Sequence, residues 1–293
     1  MAALGVVGVT SFVPNSFTMG LITAVQKRVA TGSARCEDVN RAMSAGFVLA
    51  LLLAVPFAAV YFFYSRQIAG LYVHGKAADM ASAFLRLFCF SFAFASANQA
   101  IIGFWIGMMK SRIRLVITII TTGVNVAGNL ILIPRFGFEG VAIASAAAIA
   151  TGFLINLGLL VIMEGYRWVT PTWREINEDA RVVLGVSMHQ LSLALTLNSA
   201  AFVVGLIGTD ALAIASVIGT LSLPTLYLGI GYGTATGTFL VKALEGCDHA
   251  GARAIARRSL VQVFTVCLGI AGVILLGSLM IRRFLFWRRR RCV

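Results

Sequence analysis

GVNVAGNLILIPRFGFEGVAIASAAAIATG, residues 123–152, holds two apolar runs separated by the short group Pro134-Arg135-Phe136-Gly137. The apolar character continues back to about residue 113 and on to about residue 163. Each run is therefore long enough to cross roughly 30 Å of hydrocarbon as a helix. The polar positions inside them are neutral. Asn125 and Asn129 stand four apart, on one helix face, and Asn156 follows in the second run. Amides of this kind join helices by hydrogen bonds within lipid.

Outward from this pair the pattern recurs. Eight helices are predicted, with approximate limits 1–26, 42–64, 80–109, 113–134, 138–163, 180–208, 211–241 and 254–281, each bounded by charge or by Gly/Pro punctuation. The composition agrees. Hydrophobic residues make up 59% of 293 positions and charged residues 12%, with mean hydropathy +0.91, where a soluble domain carries about 25% charge. Tyr61, Tyr64, Tyr72, Tyr166 and Trp168 fall near span ends, where amphipathic rings meet the membrane interface.

The net charge of +13 raises the question of nucleic acid, but the basic residues sit in short segments between apolar spans. That placement serves topology and excludes nucleic acid as a partner. Lys27, Arg28, Arg35, Arg41, Lys110, Arg112, Arg114, Arg167, Arg174, Arg181, Lys242, Arg253, Arg257 and Arg258 follow the odd-numbered spans, whereas only Arg66, Lys76, Arg86 and Arg135 follow the even ones. The richer set is expected to be cytoplasmic, so residue 1 is expected outside. The opening MAALGVVGVTSFVPNSF has no basic run ahead of its apolar stretch and no cleavage pattern, so no removable leader is expected. One further helix upstream would reconcile that start with the charge pattern. MIRRFLFWRRRRCV (280–293) runs against the same pattern by placing six arginines after a span that should exit outside. Either that span does not cross fully or the last dozen residues are aberrant, as from an altered reading frame, and we favour the second.

A weak internal repeat points the same way. AALGVVGVTSFVP (2–14) aligns with LAIASVIGTLSLP (212–224), matching Ala3 with Ala213, Thr10 with Thr220 and Pro14 with Pro224. After a four-residue insertion, Gly32 meets Gly246 and Ala42 meets Ala256. The period equals six helices, as in parallel halves related by an axis along the membrane normal. The second half then stops after three of its six helices, and the first lacks its opening one. We expect a chain truncated at both ends: residues 1–165 as a first bundle without its first helix, 166–181 as a cytoplasmic linker, and 182–293 as the first half of a second bundle with a basic tail.

Chemistry within the spans is sparse. All eleven carboxylates lie in connections or at span ends, so no acid, base and nucleophile set sits at mid-membrane, and an enzyme is not expected. His189 has no carboxylate or second histidine three or four residues away, and the five cysteines share no metal spacing, so no metal site is expected. The remaining mid-span polar residues are the candidates to line a substrate cavity: Asn98, Gln99, Asn125, Asn129, Asn156, His189, Gln190 and Asn198, with Tyr232 in the seventh span. Each serves equally as a plain helix–helix hydrogen bond. GIGYGTATGTFLVK (229–242) with Pro224 before it and Pro14 in the paired helix makes Pro14, Pro224, Gly229, Gly231 and Gly233 candidates for a bend, close packing being the alternative for the glycines.

Three stretches resemble the multidrug and toxic compound extrusion (MATE) family: residues 123–152 quoted above, IGTDALAIASVIGTLSLPTLYLGIGYGTATGTFLVKALEG (207–246), and GLITAVQKRVATGSARCEDVNRA (20–42). The resemblance implies an all-α integral membrane protein, with about eight transmembrane helices standing for the second through ninth of a twelve-helix, six-plus-six transporter. It implies ion-coupled antiport, with H+ or Na+ as coupling ion and no other cofactor, exporting small organic cations or amphiphiles by alternating access. It further implies a monomer in the cell (inner) membrane, with lipid around it. Family members often carry a coupling carboxylate in the first and seventh helices. Here the seventh-helix equivalent, 180–208, holds His189, Gln190 and Asn198 instead, and no acidic site is carried over. A lipid-linked saccharide flippase of the same superfamily is the alternative, weakened by the absence of mid-span Lys or Arg for a pyrophosphate. A non-transporting fragment is a third reading.

Overall fold

A computed structural model describes the backbone of residues 2–35, 37–71, 75–207 and 209–290. Side-chain surroundings are described between residues 13 and 275, apart from 36, 72–74, 76, 77, 194, 197, 198, 200–224, 226, 227 and 274. The described chain is helical: α1 Ala2–Ala34, α2 Val39–Gly70, α3 Lys76–Phe88, α4 Ser91–Gly107, α5 Ser111–Phe136, α6 Phe138–Glu164, α7 Trp173–Ile207, α8 Thr209–Glu245 and α9 His249–Arg290. Two compact units form, Met1–Leu195 and Thr196–Val293.

Among the described residues, four helices are long and apolar enough to cross a membrane: α2, α5, α6 and the part of α9 up to Val273. A fifth span is the pair α3–α4, bent by 54° at its break. The helices α1, α7 and α8 each include residues outside the described set. The predicted eight spans therefore map onto nine helices, with 80–109 split in two. Local hydrogen bonding explains the split. Cys89 Sγ donates to the Arg86 carbonyl at 2.9 Å and Ser91 Oγ to the Phe88 carbonyl at 2.6 Å. Side chains that capture carbonyls in this way bend helices, and here Phe92 N turns to Cys89 O at 3.1 Å, one residue short of the helical partner.

Other boundaries follow from caps. Asp38 accepts from Asn40 N at 2.9 Å and opens α2. Gly137 joins α5 to α6 at φ 59°, ψ −132°, a conformation that suits a residue without Cβ. Gly165 ends α6 in the left-handed region, its N–H donating to the Val161 carbonyl at 3.1 Å. α7 opens at Trp173, well before the 180 expected from apolarity. A capping box explains it: Thr172 N donates to Glu175 Oε2 at 2.7 Å, and Glu175 N to Thr172 Oγ1 at 3.4 Å.

Unit 1 packs Leu21, Val25 and Val29 of α1 against Met43 and Leu49 of α2, Ile101, Phe104 and Trp105 of α4, Leu160 of α6 and Val183 of α7. Outside that core the unit is apolar again. Leu130 and Ile162 are 73% and 81% exposed, alongside Leu51, Phe63, Leu115, Ile119 and Leu154. Apolar faces of this extent need lipid rather than water around them. Ion pairs gather at one end of the unit. Arg28 Nε meets Asp179 Oδ1 at 2.8 Å, Lys110 Nζ meets Glu164 Oε1 at 2.5 Å, and Arg41 lies 4.0 Å from Glu175. All three cations belong to the basic-rich set expected on one side of the membrane.

Candidate functional site

A cavity of about 380 Å³ opens in unit 1 between α3–α4, α5 and α6. Phe84 and Phe88 of α3, stacked with centroids 5.5 Å apart, form one wall. Asn98 of α4, Thr121, Thr122 and Asn125 of α5, and Ser145, Ala148, Ile149 and Gly152 of α6 complete it. No charged side chain stands among these lining residues.

Helical spacing supplies the polar face. Ser145, Ile149, Gly152 and Asn156 follow one another at three- or four-residue steps on α6, with Ala148 beside them. Gly152 lets α5 approach, because a methyl built there would lie 2.6 Å from Thr121 Cγ2. Two hydrogen-bond chains stand at the cavity. In the first, Trp105 Nε1 donates to Asn156 Oδ1 at 2.9 Å, and Asn156 Nδ2 donates to Asn98 Oδ1 at 2.6 Å. In the second, Asn129 Nδ2 donates to Asn125 Oδ1 at 2.9 Å and Asn125 Nδ2 to Ser145 Oγ at 3.3 Å. Trp105 and Asn156 are 0% and 1% exposed, so each bond there spares a buried group the cost of being left unmade, about 1–3 kcal/mol.

The candidates therefore separate. Asn98 and Asn125 line the cavity. Asn129 and Asn156 stand one hydrogen bond behind them, so Asn156 holds a lining residue in place rather than lining the cavity itself. Gln99, His189 and Gln190 are not among the lining residues, and His189 is exposed on α7. Tyr232 belongs to unit 2. Asn198 and Pro224 lie outside the described side chains. α1 runs unbroken past Pro14, and α8 past Gly229, Gly231 and Gly233. Among the described residues, a methyl at any of those three glycines meets nothing within 4 Å. Trp105, Thr121 and Ser145 were missed. A periodic signal for Trp105 was present, since it follows Asn98 by two helical turns.

The other polar centre joins α1 to α7. Arg28 Nε donates to both Asp179 oxygens at 2.8 and 2.9 Å, and its Nη2 to the Glu175 carbonyl at 3.0 Å. Asp179 lies ahead of the apolar stretch of α7 that begins at Val182. Burial pushes its carboxyl up to about 6, against the pull of Arg28. In unit 2, a hollow of about 610 Å³ runs along α9 past Arg253, Arg257 and Arg258, a basic cluster of the kind that sets topology.

Helices in this arrangement have known counterparts. A family model, MatE, matches residues 1–131. The likeness in fold extends over nearly the whole chain. A MATE in complex with MaD5 superposes with TM-score 0.86 at 18% identity, covering 94% of this chain and 66% of that one. A MOP superfamily transporter from Pyrococcus furiosus, described as having a binding pocket of reverse polarity, gives 0.84 at 19% identity over 94% and 64%. An outward-facing multidrug resistance MATE family transporter of the MOP superfamily gives 0.83 at 19% identity over 93% and 63%. The chain thus spans under two thirds of the length of these solved structures. No curated protein matches it in sequence.

Proposed function

We propose that this protein is a secondary active transporter that exports small organic compounds, cationic or amphiphilic, by H+- or Na+-coupled antiport. Transport proceeds by alternating access, two helical halves rocking about a site near the membrane midplane. The cell (inner) membrane is the location, lipid the immediate partner, and the monomer the working state. The observation that carries this reading is a 380 Å³ cavity with aromatic and neutral polar walls, inside a helical unit whose outer faces are apolar. An aromatic wall with a few placed polar groups suits varied organic guests. The lack of charge among the described lining residues speaks against a pyrophosphate-bearing substrate.

The test is accumulation of ethidium in efflux-deficient cells, comparing this 293-residue chain with a version extended to twelve helices. A protonophore and sodium removal form separate arms. Lower accumulation with the extended chain, abolished in one arm, supports the reading and names the coupling ion. Unchanged accumulation despite good membrane expression removes drug export as the function.

A further inference from the structure

The cations of unit 1 and of α9 differ in their company. Arg28, Arg41 and Lys110 each have a carboxylate within 4.0 Å. Arg253, Arg257 and Arg258 are exposed and form no ion pair among the described residues. Asp248, the carboxylate next to them along the chain, is engaged in accepting from Gly251 N at 2.8 Å. The three arginines rim the hollow of about 610 Å³, and the small side chains of Ala250 and Ala254 keep its floor low.

Helical spacing carries this basic rim into an apolar stripe. Arg253, Arg257, Val261, Phe264 and Leu268 follow one another at three- or four-residue steps, on one face of α9. Val261, Phe264 and Leu268 are 59%, 67% and 57% exposed. The opposite face is taken by α8, where the Thr236 and Ser259 hydroxyls hydrogen-bond and Ala252 is buried. From Arg257 to Leu268 the helix rises about 16 Å, close to half of the roughly 30 Å hydrocarbon core. A cationic head above an apolar strip one leaflet deep is the complement of an anionic amphiphile. Guanidinium groups suit its phosphate, which they bind through paired N–H donors. Basic residues that only set topology need no such alignment with an apolar face.

We propose that this face of α9 binds an anionic phospholipid of the leaflet on the basic-rich side. Its phosphate sits among Arg253, Arg257 and Arg258, and its acyl chains lie along Val261, Phe264 and Leu268. Phosphatidylglycerol has the required headgroup, whereas the choline of phosphatidylcholine sets a cation against the arginines.

The test is native mass spectrometry of the purified full chain, titrated in detergent with dioleoyl phosphatidylglycerol or dioleoyl phosphatidylcholine. The first phosphatidylglycerol should bind more tightly than phosphatidylcholine by about tenfold or more. Arg253→Gln, Arg257→Gln and Arg258→Gln together should bring the two lipids within about twofold, with helix content unchanged by circular dichroism. Arg112→Gln, Arg167→Gln and Arg181→Gln together remove the same charge from other exposed positions of the basic-rich set and should leave the preference in place. Glycerol 3-phosphate, an anionic headgroup without acyl chains, should not displace the lipid at equal concentration. No preference in the unmodified chain overturns the proposal, as does a preference that survives loss of the three α9 arginines. Equal losses in the two triple variants overturn it as well, by tracing the effect to net charge. Displacement by glycerol 3-phosphate would reduce the site to one for bare phosphate. A dimer of the unmodified chain that the α9 variant splits would give the face to a second copy instead. None of these readouts depends on transport, so the exporter reading stands or falls separately.

Discussion

Glycine serves the two units in opposite ways. In unit 1 the glycines at 20, 46, 103 and 107 sit where helices touch, while those at 123, 158 and 185 meet nothing within 4 Å. A methyl on Gly103 would lie 2.6 Å from the Ile22 carbonyl oxygen, and one on Gly107 would lie 2.8 Å from the Gln26 carbonyl oxygen, so α4 rides directly on the α1 backbone. Gly46 admits Val25, and Gly20 admits the Val183 carbonyl of α7 at 2.5 Å. In unit 2 the glycines at 229, 231 and 233 face open space. The same residue type in sequence thus conceals two physical situations. In lipid, close backbone approach replaces the hydrophobic drive between helices, and unit 1 uses it. A helix glycine that contacts nothing only lowers helix stability.

The sharpest way to break this contrast is at Gly103. Gly103→Leu should abolish the folded yield, and Gly103→Ala should cost about 1–3 kcal/mol by overpacking, both read from thermal unfolding in detergent by circular dichroism. Full stability of the leucine variant would mean that α1 and α4 are not held backbone to backbone.

Next in size is a pH effect at Asp179, which the close approach of α1 and α7 at Gly20 helps to bury. Its folded-state pKa of about 6 lies above the ordinary carboxylate value of 3.8. Between those values the folded chain holds a proton that the unfolded chain has released. Stability from this group is therefore greatest at the acid end, falls as pH rises through about 4 to 6, and is flat above. At 1.36 kcal/mol per pKa unit the loss is about 2–3 kcal/mol. Unfolding midpoints at pH 5 and pH 7 should differ in the unmodified chain, and that difference should shrink in Asp179→Asn.

Asn156→Leu should come third, at about 2 kcal/mol, because it strands the buried Trp105 N–H and frees Asn98. Indole fluorescence should shift along with the unfolding midpoint. The smallest effect, and the one that sharpens the comparison from the other side, is at Gly231. Gly231→Ala should gain about 0.5–1 kcal/mol from helix propensity alone. A loss instead would show that unit 2 packs another surface against that face.

Much of the fold was legible without coordinates. Apolar runs located the helices, since each span answers to its own composition. Charge placement foretold the cluster of Arg28, Arg41 and Lys110 ion pairs at one end of unit 1. Misreadings arose where a specific hydrogen bond overrode apolarity: the Cys89 and Ser91 contacts that divide 80–109 into α3 and α4, and the Thr172–Glu175 box that starts α7 early. The site was legible in part. Asn98, Asn125, Asn129 and Asn156 were identifiable as neutral polar groups inside spans, but their spacing could not say which ones meet.

The sequence by itself determined that this is a helical membrane protein, where its helices lie, and which residues could bond inside the bilayer. Those properties are local, set by how each twenty-residue stretch partitions between water and hydrocarbon. The tertiary structure alone decided that Asn156 joins Trp105 to Asn98, that Asn98 lines the cavity, and that the glycines at 20, 46, 103 and 107 are contacts while those at 229, 231 and 233 meet nothing within 4 Å among the described residues. Each of these depends on the rotation and separation of one helix against another. Such quantities come from packing between segments far apart in the chain, and no single span encodes them.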